Sequence, residues 1–171
     1  MPEARPGLGV PGGRVLPIVL HPDPRLRAVC APVGAVTDEV RCLAADMLAT
    51  MYAAPGRGLA APQVGVLSRL FVVDVTWRDG APAPMAFVDP VVEAAGAPEA
   101  GVEGCLSIPD RPVEVVRPGA VRVSWTDLDG ARREGRFKGA MARCIQHEAD
   151  HLDGVLILDR EGAPAGSGAA P

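Results

Sequence analysis

From Asp38 the apolar residues fall at helical spacing. Val40, Leu43, Ala44, Met47, Leu48 and Met51 stand at i, i+3, i+4, i+7, i+8 and i+11, which predicts an amphipathic helix with one buried face. Thr37 or Asp38 caps its start and Pro55-Gly56 ends it. A second helix is predicted from about Lys138 to Leu152, with Gly154 placed to terminate it. Between the two helices the pattern turns to β-branched runs. Val66 to Val75 reads as a strand, Met85 to Ala95 as two short strands around Pro90, and Val113 to Val116 and Ala120 to Leu128 as strands. Asp129-Gly130 is a hairpin turn with Ala131 to Phe137 returning. Arg14 to Leu20 is a further strand candidate, stopped by His21-Pro22-Asp23-Pro24. Most strands follow one another directly, so antiparallel sheets packed on two helices are expected, an α+β domain.

Composition adds boundaries. Glycine and proline crowd both ends, with seven in residues 1–13 and five in residues 162–171. These ends read as a disordered N-terminal extension (1–13) and a disordered tail (161–171) around one domain over 14–160. No apolar run approaches the length of a membrane span, and the N-terminus lacks the apolar stretch of a secretory signal. A cytoplasmic protein is expected. The net charge of −4, with no Lys/Arg block, argues against a nucleic-acid-binding surface. The four cysteines form no Cys-x-x-Cys, which excludes a zinc ribbon or a thioredoxin motif.

Candidate chemistry gathers on the second predicted helix. In Gln146-His147-Glu148-Ala149-Asp150-His151, the histidines are four apart and share a face, where they can grip one metal ion beside Glu148. A catalytic metal needs a third ligand. A metzincin protease would place a histidine at 157, which is Ile157. Cys144 lies about 10.5 Å along the axis from His151, too far to share an ion. His21 sits in a proline-rich loop. Cys105, in Glu103-Gly104-Cys105-Leu106-Ser107, is the better candidate. A third segment, Gly56 to Gly65, reads as a backbone-shaped loop in which Gln63 supplies an amide able to donate to an oxyanion. From the residues alone, a metalloprotease or a metal-stapled module without activity remains open.

Taken together and in this order, Gly56-Arg57-Gly58-Leu59-Ala60-Ala61-Pro62-Gln63, Glu103-Gly104-Cys105-Leu106-Ser107 and Gln146-His147-Glu148-Ala149-Asp150-His151-Leu152 resemble the peptide deformylase family, over roughly residues 14–160. The resemblance implies an α+β fold in which antiparallel sheets pack around a central helix carrying the His-Glu-x-x-His motif, plus an N-terminal helix. It implies that Cys105, His147 and His151 hold one divalent ion, Fe(II) natively, with Zn(II), Ni(II) or Co(II) as substitutes. Glu148 would move protons, and the Leu106 backbone N–H and the Gln63 amide would hold the oxyanion. Gly58 would align the substrate backbone. Arg117 would partner Glu103. Arg143 would lie near the methionine pocket or be a plain surface arginine. The implied substrates are formyl-methionyl nascent peptides, which would lose formate. Two departures stand out. Arg57 replaces the usual aliphatic residue, and an Ala/Gly/Pro tract stands where longer members carry a basic helix that docks on the ribosome.

Overall fold

The protein is described by a computed structural model over residues 12–162. The expected disordered ends therefore lie outside the described residues, apart from 12–13 and 161–162. Helix α1 spans Asp38–Ala53, with the Thr37 hydroxyl accepting from the Val40 N–H at its start. It is followed by strands β1 (Gly58–Ala60), β2 (Leu70–Val73) and β3 (Met85–Ala94). Next come β4 (Pro98–Cys105), β5 (Ile108–Pro118), β6 (Ala120–Thr126) and β7 (Arg132–Lys138), and then helices α2 (Gly139–Leu152) and α3 (Ile157–Arg160).

The strands form a five-stranded sheet in the order β1-β2-β3-β6-β7 and a separate β4–β5 hairpin, all antiparallel. All four β2 residues are buried because the large sheet is covered on both faces. Alternation along the strand sends Leu70 and Val72 to one face, where they meet Met47, Leu48 and Met51 of α1. Phe71 and Val73 go to the other face and meet Ala142, Ile145 and Leu152 of α2. Phe71 stacks on Phe87 with ring centroids 4.9 Å apart, which fixes the α2 side of the layer. The β4–β5 hairpin adds a third apolar cluster, in which Cys105, Ile108, Val113 and Val115 pack with Leu156 and Ile157. Helix α2 thus runs between the sheet and the hairpin. Among the described residues no helix is long and apolar enough to cross a membrane.

Several expectations change. Arg14–Leu20 is not a strand. Its backbone is satisfied by side chains of α1, Arg14 N–H on Asp46 at 2.7 Å and Leu16 N–H on Thr50 at 2.8 Å. The two short strands around Pro90 are one strand with a bulge between Val88 and Val91. Asp89 there adopts φ 47°, and its carboxylate is held by the Val33 and Gly34 N–H groups. The Gly56–Gly65 loop contains a strand and a short 3-10 turn over Ala61–Val64.

Candidate active site

Cys105 ends β4 at the turn into β5, so its side chain is fixed by both strands of the hairpin. His147 and His151 project from one face of α2 with ring centroids 5.2 Å apart. The hairpin packs against that face and brings Cys105 Sγ to 3.4 Å from His151 Nε2. One ligand atom from each of the three residues lies within 4.8 Å of the others, and all three residues are buried. Among the described residues this is the only such group. Cys144 is turned away and gives its thiol to the Arg57 carbonyl at 3.5 Å. His21 is exposed. Ile157, where a metzincin would need histidine, is a core residue.

Charged partners hold the ligands in place. Glu103, two residues before Cys105 on β4, accepts from His147 Nδ1 at 2.9 Å. Arg117 grips the same carboxylate with two bonds, at 2.6 and 2.9 Å, and Arg143 adds a third at 2.8 Å. Arg117 reaches on to Asp150 at 2.9 Å, and Arg160 holds Asp150 from outside at 2.7 Å. A bond from Nδ1 to a carboxylate leaves Nε2 of His147 for a metal and sets the ring's orientation. Sequence reasoning paired Glu103 with Arg117 alone. The signal for its second role was there: two residues apart on a strand, Glu103 and Cys105 face the same side.

These contacts separate the protonation states. Burial would raise the Glu103 pKa, but His147 and Arg117 outweigh it and hold the carboxyl well below its usual range. Burial would lower that of His147, but Cys105 and Glu103 raise it to about 10. His151 is pushed well down by burial and by its cationic neighbours His147 and Arg117. Burial lifts Glu148 to about 7, against the pull of His147. The Glu103 carboxylate and the Cys105 sulfur beside the His147 ring favour positive charge there, so a metal ion can take the place of the His147 proton. Glu148 Oε2 is buried without a hydrogen-bond partner among the described residues, although Oε1 lies 3.8 Å from His147 Nε2. A thiolate, two imidazoles and an adjacent unpaired carboxylate oxygen fit a catalytic divalent ion.

The Gly56–Gly65 segment forms the facing wall. Gln63 is buried, and its Oε1 accepts the Ala60 N–H at 2.9 Å. That bond fixes the amide flip and aims Nε2 at Ser107 Oγ, 3.1 Å away, and Cys105 Sγ, 3.6 Å away. Gly58 leaves room here, since a Cβ would stand 2.8 Å from both Cys144 Sγ and Glu148 Oε1 and would push on the Glu148 carboxyl. Leu106 sits in the β4–β5 turn directly after Cys105. A cleft of about 610 Å³ opens over these residues, lined also by Arg143. Arg143 is no free surface arginine, because its guanidinium is committed to Glu103 and to the carbonyls of Val115 and Glu99.

Comparison with known proteins points to one family. The polypeptide deformylase family model matches residues 15–164. A peptide deformylase of Mesorhizobium japonicum is 51% identical over 146 residues, covering 85% of this chain and 83% of that protein. One from Rhizobium meliloti is 47% identical over 146 residues, covering 85% and 84%. Among solved structures, a Synechococcus elongatus peptide deformylase in complex with actinonin superposes with a TM-score of 0.83 at 41% identity, covering 87% of this chain and 84% of that one. The Thermotoga maritima peptide deformylase gives 0.81 at 38%, covering 86% and 98%. Sequence, fold and the buried Cys-His-His cluster converge, and the chain belongs to the polypeptide deformylase family.

Proposed function

We propose that Cys105, His147 and His151 hold one divalent ion, Fe(II) natively, and that Glu148, Gln63 and the Leu106 N–H carry out the hydrolysis around it. The reaction is the removal of the formyl group from N-formylmethionine at the start of nascent polypeptides, with release of formate. The observation that carries the assignment of residues is the convergence of three buried ligand atoms beside a buried, partnerless carboxylate oxygen.

A formamide needs its carbonyl polarised, a nucleophile at neutral pH and a proton for the leaving amine. A bound divalent ion supplies Lewis acidity and lowers the pKa of water. Glu148 takes the proton of the attacking water and returns it to the amine. A carboxyl lifted to about 7 is suited to both tasks near neutrality. Gln63 Nε2, pre-aimed by the Ala60 N–H, and the Leu106 N–H donate to the oxygen that becomes negative. Gly58 lets the substrate backbone lie close to the Glu148 wall. Arg143, at the cleft wall, packs its stem beside the methionine side chain while Glu103 holds its head.

The test is formate release from formyl-Met-Ala-Ser against cleavage of unformylated Met-Ala-Ser by protein loaded anaerobically with Fe(II), Zn(II), Ni(II) or Co(II). Formate from the first and no cleavage of the second is expected, with Fe(II) fastest and lost soonest in air, since zinc has no redox chemistry. Cys105→Ala should lose bound metal while Cys42→Ala keeps it. Equal metal in both variants would exclude Cys105 as a ligand, and peptide-bond cleavage would point to a protease.

A further inference from the structure

Arg57 occupies a constrained place. Its neighbours Gly56 and Gly58 are closely surrounded: a Cβ on the first would meet the tip of Leu106 at 2.7 Å, and on the second Cys144 and Glu148 at 2.8 Å. The residue between them is exposed and lines the cleft. Its guanidinium reaches Asp79 at 3.5 Å, in a pair whose side chains are 43% and 81% exposed. Exposed pairs of this kind hold little free energy and exchange readily for another carboxylate.

The neighbouring loop is laced to the same wall. Trp77 Nε1–H donates to the Gly56 carbonyl at 2.9 Å and the Asp74 N–H to the Arg57 carbonyl at 2.8 Å. This places Arg78, which lies over the Trp77 ring at 5.6 Å, on the cleft as well. From the β5 side Arg111 joins the lining, in an exposed pair with Glu161 at 3.1 Å. The exposed charged residues of the lining are thus three arginines and one carboxylate, Asp110. Arg143, Glu103 and Glu148 lie deeper, and Arg143 is already spent on Glu103 and two carbonyls. Asp79 and Glu161 stand behind two of these arginines as exposed partners outside the lining, so the cleft wall itself presents three guanidinium groups against the single carboxylate of Asp110.

We infer that Arg57, Arg78 and Arg111 make this enzyme prefer formyl-methionyl chains with acidic residues directly after the methionine. The inference rests on the deformylase reading above. These contacts form in the ground state and persist in the transition state, so the preference falls on KM more than on kcat. One or two exposed ion pairs give a threefold to tenfold effect, on the order of what such pairs contribute.

The experiment measures kcat and KM by formate release from formyl-Met-Ala-Ala, formyl-Met-Glu-Glu and formyl-Met-Lys-Lys on the metal-loaded full chain. The Glu:Lys ratio of kcat/KM is expected at about three to ten or above at low salt. It should fall toward one in 1 M salt, where the screening length is about 3 Å. Arg57→Ile with Arg78→Ala and Arg111→Ala should bring it toward one, and Asp79→Ala, which frees Arg57, should raise it. A ratio at or below one at low salt, or a ratio unmoved by the triple substitution, would overturn the inference while hydrolysis of the alanine peptide left the activity standing. No formate even from the alanine peptide would sink the activity itself, and the inference with it.

Discussion

Helices α1 and α2 lie against opposite faces of one sheet, and both bury apolar side chains there, but only α2 buries ionisable ones as well. The inner face of α1 is apolar, with Ala44, Met47, Leu48 and Met51. That of α2 also buries His147, Glu148 and His151. Water leaves both faces, and the apolar residues of both gain by it, Ala142, Ile145 and Leu152 on α2 included. On α2, desolvation works against every ionised group and must be offset by Glu103, Arg117 and the ligand set. One helix anchors the fold, and the other is held so that its burial tunes chemistry.

The largest test of that division is Glu148→Gln. It keeps shape and removes a buried carboxyl, so metal content and melting temperature should hold while turnover falls ~10²–10⁴-fold. Turnover near that of the native chain in a metallated variant would remove Glu148 from the reaction.

Arg117→Ala and Met47→Ala then contrast the two faces. The first strands Glu103 and Asp150 without their shared cation, and breaking such a buried pair costs about 3–5 kcal/mol. Because Glu103 orients His147, metal affinity should also drop roughly 10–100-fold. The second opens a cavity under β2 and costs about 2–5 kcal/mol, with metal affinity unchanged. Equal metal dissociation constants in both variants would mean that Glu103 packs beside His147 without steering it.

The same contrast explains what could be read from the chain. The face of α1 is legible because apolar spacing and burial say the same thing. On α2 hydropathy accounts for the buried Ala142, Ile145 and Leu152, whereas the polar His147, Glu148 and His151 read as buried only through their chemistry. Strand β4 went unread because Pro98–Cys105 contains two glycines and two glutamates, and its pairing with β5 makes it a strand. The Pro90 break was misplaced because the bulge at Asp89 is held by N–H groups more than fifty residues away. The mouth arginines converge only through the fold.

Acid titration offers a smaller contrast. The Glu103 pKa is depressed in the folded state, so the unfolded chain binds its proton first as pH falls. Its stabilisation is complete above the ordinary carboxyl value of about 4.3 and is lost as pH drops below it. In metal-free protein, Glu103→Gln should flatten the fall in stability between about pH 4 and 2. Met47→Ala, which changes no ionisable group, should shift that curve down without changing its slope. Parallel curves for the native chain and Glu103→Gln would show that Glu103 is not ionised at lower pH in the fold than in the unfolded chain.

The smallest effect belongs to the start of α1. Thr37 accepts from the Val40 N–H at 3.4 Å, a long bond, and Asp38 and Glu39 already face the positive end of the helix. Thr37→Ala should therefore cost near the low end of the capping range, about 0.5–1 kcal/mol by denaturant unfolding. The helix it caps touches the sheet through Met47 and Met51, on the face opposite the one that α2 covers. A loss that small and that remote should leave metal affinity, kcat and KM where they are. A Thr37→Ala protein that weakened metal binding while losing under 1 kcal/mol would mean that strain passes through the sheet from α1 to α2, and the two faces would have to be treated as one cooperative unit.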